Sequence, residues 1–225
     1  MESVRIVSRS VLAEQVKERL LEEIFGGRYA PDARIIETQV ARELGTSQAP
    51  VREALRGLEA LGVVEITPFR GARVRRPSRA ELVEAYAVRS TLEALGARLA
   101  VPRLKDADIE QLAAYVDAMH AAADAGDGHL VAEVDARFHG RIIEIAANGT
   151  LEKVWRSLEP FSRTYLTLVA PGADPQWSAD LHVPVLAAIR ARDAEAVVHA
   201  LERHFDDVAE NMARRLPDDT SRRTP

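Results

Sequence analysis

Asp135 and His139 stand four residues apart, and His182 and His204 follow 22 residues from each other. On a helix the first pair shares one face. Three imidazoles and a carboxylate suit Zn²⁺ by ligand type, and also Ni²⁺, Mn²⁺ or Fe²⁺. Apolar helical stretches around each of them would keep such a site inside a bundle. Residue type alone does not choose this set, because His120, His129 and His199 are equally available. A lone histidine is more often a surface residue, and an Asp-x-x-x-His pair can be a hydrogen bond on a helix surface.

A second group of residues suits a polyanion. Gln48, Arg52 and Arg56 recur every four residues and form one stripe of a helix, opposite Val51, Leu55 and Leu58, with Ala54 beside that apolar side. Ser47 stands at the N-cap position, where helix amides can face a phosphate. Gln pairs naturally with adenine and Arg with guanine in the major groove. Arg70, Arg73, Arg75 and Arg76 come next with no acid between Thr67 and Ala80, and Gly71 allows close backbone approach. Such side chains suit phosphate or minor-groove contact. The bland alternative is a packing module in which Arg52 meets a neighbouring acid or solvent.

The elements that must position these groups can be read from periodicity. Leu12, Val16, Leu20 and Ile24 form the stripe of a first helix, which Gly26 and Gly27 end. Thr38 to Leu44 reads as a second helix and Gln48 to Leu61 as a third. Val63 to Thr67 and Ala72 to Val74 read as two strands around a turn. Helix, short helix, turn, helix and hairpin make a winged helix-turn-helix. Pro77 and Ser78 then mark a boundary, since a proline disfavours helix before it and a serine is a good N-cap for a helix starting at the next residue. Beyond it, helices are expected near 79–101, 106–125, 129–147, 150–170, 178–192 and 194–215, an all-α six-helix bundle. The expected organisation is a DNA-binding domain over 1–77, a helical domain over 78–216 and a polar, flexible tail over 217–225.

Composition narrows the classes. The chain has 225 residues and a net charge of −5, which is unusual for a DNA binder. The charge is uneven, however: residues 1–77 carry a net +2 and residues 78–225 a net −7. With no cysteine, disulfides and thiolate metal sites are excluded. No apolar run reaches the roughly 18 residues of a membrane span, and the first residues lack a signal-peptide apolar region. A cytoplasmic protein with no membrane partner is expected.

Glu37 to Val74 resembles the DNA-binding domain of the GntR family of transcription regulators. The resemblance is carried by Pro50-Val51-Arg52-Glu53-Ala54-Leu55, by the Leu58-Glu59-x-x-Gly62 turn and by the Arg70-Gly71 wing. It implies that Gln48, Arg52 and Gly71 contact DNA. The family usually has Arg where Gln48 stands, so the operator preference is expected to differ; it often has Gly where Asp32 stands, a minor loop difference. Residues 79–215 resemble the FCD effector domain of the FadR branch, with six helices in the manner of the VanR-like subgroup. Arg89 with Glu93, the Asp135-x-x-Phe138-His139 segment, the Ala146-x-Asn148 turn and the His182…Asp193…His204 run carry it.

That resemblance implies that Asp135, His139, His182 and His204 bind a divalent metal beneath a ligand cavity, and that His120, His129 and His199 do not. It also implies a small carboxylate or sugar acid as effector, a homodimer and a palindromic double-stranded operator, in a repressor or an activator. Arg89 is the first choice for holding the effector and Arg163 the second, since Arg grips carboxylates bidentately. Arg89 could instead pair with Glu93 on its own helix. The rivals are a metal-dependent hydrolase or lyase fused to a DNA-binding domain, and a regulator whose metal is structural or is itself the signal. No His-Glu-x-x-His motif supports the enzyme.

Overall fold

The computed structural model describes residues 9–67, 71–164 and 174–216, with the side chains of 9, 10 and 161–164 left undescribed. The chain divides into two compact units, Met1–Arg76 and Pro77–Pro225.

In the first unit, α1 (Arg9–Phe25), α2 (Glu37–Glu43) and α3 (Gln48–Ala60) pack against a three-stranded antiparallel sheet. The strands are β1 (Arg34–Ile35), β2 (Val64–Thr67) and β3 (Gly71–Val74), in the order β1-β3-β2. Val64 pairs with Val74 and Thr67 with Gly71, and Ile35 lies across from Ala72. Leu20, Ile24, Ile35, Val51, Leu55 and Leu58 fill the core, each contributing about 1.5–3 kcal/mol. The strand β1 was not expected: two residues are too few to show a period of two. Asp32, just before it, has a φ of +66°. Only glycine takes that conformation freely, and Asp bears it better than most other residues. Asp32 is held by backbone bonds to the hairpin and by Arg76 at 3.4 Å.

The second unit is helical. Its elements are α4 (Arg79–Ala100), a 3-10 turn (Val101–Arg103), α5 (Asp106–Asp124), α6 (Gly128–Ile145), α7 (Gly149–Thr164), α8 (Pro175–Asp180), α9 (His182–Arg190) and α10 (Ala194–Arg215). Ser78 and Glu81 form a capping box at the start of α4. Asp127 and Asp193 cap α6 and α10 with their carboxylates. The helix expected over 178–192 is two, so seven helices are described after Pro77 where six were expected. Pro184 gives the reason. It has no N–H to offer the carbonyl four residues earlier, and the ladder breaks at Asp180–Leu181. Leu181 keeps helical torsions, so α8 and α9 remain nearly continuous. The helix expected over 150–170 is described only to Thr164, and the tail over 217–225 lies outside the described residues.

Phe138, Leu112, Met119 and Leu201 are fully buried at the centre of the bundle. Gly96 lets α4 approach α6 closely: a Cβ there would stand 2.7 Å from Ile143 Cδ1. That approach brings Glu93 on α4 against His139 on α6.

Candidate metal centre and DNA-reading surface

Three helices supply the centre. Asp135 and His139 lie one turn apart on the buried face of α6, His182 opens α9, and His204 sits midway along α10. All four side chains are buried, and one ligand atom from each lies within 4.8 Å of the others. His182 Nε2 is 3.1 Å from Asp135 Oδ1 and 3.2 Å from His139 Nε2, while His139 Nε2 is 3.7 Å from Asp135 Oδ1. His120 instead pairs with Asp180 at 3.0 Å, and His129 and His199 are exposed.

The outer ring nitrogens decide which atoms face inward. His182 Nδ1 donates to the Ser178 carbonyl at 3.0 Å, since a carbonyl only accepts. His139 Nδ1 donates to Glu93 Oε2 at 2.5 Å. With Nδ1 so engaged, each ring turns its Nε2 towards the other and towards the acceptor-only Asp135 carboxylate. A proton or a metal ion on the Nε2 side can join the three groups. The Nδ1 of His204 is also buried and has no hydrogen-bond partner. A buried cluster of these donors, with one nitrogen left unpartnered, fits a divalent metal, and a carboxylate placed as Glu93 is against His139 is the kind of outer contact that would orient a metal-bound imidazole.

Ionisation favours the same arrangement. Burial pushes the Asp135 carboxyl up, but the positive charge of His139, the hydrogen bond and charge of His182, and Arg89 outweigh it, and the group stays well below the usual carboxylate range. Burial opposes the Glu93 carboxylate too, yet His139 and Arg89 hold it at about 2. Burial pushes His204 well down, and the neighbouring His182 and His139 add to this. Ionised carboxylates and neutral imidazoles are what a metal requires.

Arg89 lies beside the centre, buried, with Nε 2.7 Å from Glu93 Oε1. Trp155 Nε1 donates to the same oxygen at 2.8 Å. The guanidinium lies over Trp155 and Phe205, 5.5 Å from each ring. Its Nη2 is buried without a partner. The alternative of an Arg89–Glu93 pair is thus realised, with a second donor left over. Arg163 lies on α7, but its side chain is outside the described residues. The sequence reading missed the orienting role of Glu93 and the anchoring by Trp155 and Ser178. Only the Arg89-x-x-x-Glu93 spacing could have pointed to the first.

In the first unit, Ser47, Gln48, Arg52, Arg56, Gly71 and Arg73 are exposed, while Arg70 lies outside the described residues. Ser47 occupies the N-cap of α3, but its side chain makes no cap bond. The third residue of the helix is Pro50, which has no N–H to give it. Gly71 has a φ of +84° at the wing tip. Among the described residues, Arg73 reaches the Asp32 carbonyl, at 3.5 Å. Arg52 is engaged by Glu37, which the sequence reading also missed. Gln48, at the first position of α3, carries a direct expectation. Replacing it by arginine shifts base preference at one position per half-site by about 1–3 kcal/mol, as read by sequencing duplexes selected from a random pool. An unchanged preference would remove Gln48 from the base edge.

Comparison with known proteins agrees with both halves. The pattern described as "Bacterial regulatory proteins, gntR family" matches residues 12–74, and that of the FCD domain matches residues 84–207. A probable D-xylose utilization operon transcriptional repressor from Paenarthrobacter nicotinovorans is 35% identical over 88% of this chain and 87% of its own. The gluconate operon transcriptional repressor of Bacillus subtilis is 24% identical over 92% of this chain and 87% of its own. Among solved structures, E. coli McbR/YncC superposes with a TM-score of 0.80 at 25% identity, covering 93% of this chain and 99% of the other.

Proposed function

The chain belongs to the GntR family and carries an FCD domain, so it is a DNA-binding transcription regulator and not an enzyme; we propose that a small carboxylate, bound at a divalent metal in its helical half, sets its affinity for DNA. The first unit is the DNA-binding domain, with Gln48, Arg52, Arg56 and the wing at the duplex and Ser47 near a phosphate. The second is the effector domain, with Asp135, His139, His182 and His204 as metal ligands. Zinc is the first choice, since three imidazoles and one carboxylate suit it.

The observation that carries this reading is the buried convergence of Asp135, His139, His182 and His204, with one ligand atom from each within 4.8 Å of the others. A divalent ion bound there would supply positive charge and open positions for an anionic oxygen. Charge supports a monoanion: with the imidazoles neutral, as metal binding requires, Asp135, Glu93 and Arg89 leave one net negative charge, and a divalent ion would turn that into one net positive charge. Arg89 Nη2 offers a donor for the same anion. The relative named for the gluconate operon favours a sugar acid, the one named for D-xylose utilization a sugar or its acid, and both names favour repression as the mode.

A homodimer on a palindromic operator accords with this reading, because one winged domain makes too few contacts for high specificity. The α4 helix offers a surface for it, with Val83, Val88 and Leu95 among the exposed large apolar side chains. The carboxylate would act by binding one arrangement of the two winged domains better than another. Fluorescence anisotropy on a selected duplex tests the proposal. Gluconate or xylonate is expected to change DNA affinity at least fivefold with zinc present, and to have no effect after chelation. An equal response with and without the metal would refute the link.

A further inference from the structure

Arg52 is not a loose cation waiting for DNA. Its Nη2 lies 2.9 Å from Glu37 Oε2, and its Nε lies 3.1 Å from the same oxygen and 3.4 Å from Oε1. Glu37 stands in the first turn of α2, and Arg52 in the second turn of α3. The bond therefore ties the reading helix to the helix before it. It uses the side edge of the guanidinium, Nε with Nη2. The end of the fork, Nη1 with the second Nη2 hydrogen, is left directed elsewhere. Two hydrogens on that end are what guanine O6 and N7 require. The arginine is half exposed, with 52% of its side-chain surface accessible, so that end is within reach of a duplex.

We propose that Glu37 is a positioning residue for base reading: it locks the guanidinium plane of Arg52 so that its free end reads one guanine per half-site. The same carboxylate opposes binding elsewhere. A negative charge beside the reading helix repels phosphates on every sequence, and only the guanine contact offsets that repulsion. Glu37 thus raises discrimination while lowering indiscriminate affinity. This inference rests on α3 being the DNA-reading helix.

The two roles separate in one experiment on the full-length protein. Duplexes are selected from a random pool by wild type, Glu37→Ala and Glu37→Gln. Affinity is then measured for the selected duplex and for a mixed-sequence duplex lacking it, at several salt concentrations. Glu37→Ala is expected to lose preference at one guanine position and about tenfold in the ratio of the two affinities. Its affinity for the mixed-sequence duplex should stay equal or rise. Glu37→Gln, which keeps the shape and one acceptor, should fall between. In an Arg52→Ala background, removing Glu37 should leave the ratio unchanged. Three outcomes overturn the proposal: an unchanged preference and ratio, a parallel fall of both affinities, which marks a purely structural role, or a parallel rise of both, which marks simple charge masking. If wild type itself selects no motif, the reading of α3 falls as well.

Discussion

Replacing Arg89 by alanine is expected to lower the thermal midpoint by on the order of 10 °C and to abolish the response to carboxylates. Arg89 is buried against two aromatic rings and gives its Nε proton to Glu93. Glu93 also receives His139 and Trp155. Breaking a buried pair by removing one partner costs about 3–5 kcal/mol, because the remaining charge loses its compensation. At this chain length each kcal/mol is worth about 2–4 °C. Arg89→Lys separates stability from recognition. It keeps the charge but not the planar fork, so it should recover part of the midpoint and none of the carboxylate response. A variant Arg89→Ala that melts with the wild type and still releases DNA on adding gluconate would remove Arg89 from both roles.

The double variant His182→Ala, His204→Ala tests the metal by its stabilising effect. A ligand that binds only the folded state at a thousand times its Kd stabilises by about 4 kcal/mol. Zinc should therefore raise the wild-type midpoint by on the order of 10 °C and leave that of the variant unmoved. Without metal the order can reverse. The wild-type centre then keeps three imidazoles packed around one buried carboxylate without the ion, and the variant removes two of the three. A zinc-induced rise as large in the variant as in the wild type would mean that the ion binds elsewhere.

Much of this was legible in the sequence because it depends on period. Leu12, Val16, Leu20 and Ile24 give α1, and the split between Gln48–Arg52–Arg56 and Val51–Leu55–Leu58 gives the two faces of α3. The placement of Asp135 and His139 on one face came from their spacing, but the depth of that face did not. The convergence of His182 and His204 on them is a tertiary fact, and only the family resemblance pointed to it. Other features were written in the sequence and passed over. Pro50 at the third position of α3 already removed one of the two N–H donors that could cap to Ser47. Pro184 already divided the helix expected over 178–192. The partners of charged groups were the least legible. Glu37 lies 15 residues before Arg52, and Glu93 lies 46 before His139. Periodicity says which face a side chain takes, but not which distant residue will meet it there.

The proposed centre of this regulator is one divalent ion held among Asp135, His139, His182 and His204. Native mass spectrometry of the purified full-length chain, before and after dialysis against a chelator and then after zinc is returned, measures that directly. One ion per chain is expected, lost on chelation, regained with zinc, and absent throughout from His182→Ala, His204→Ala. A wild-type chain that takes up no stoichiometric zinc, or a double variant that still binds one ion per chain, would contradict it.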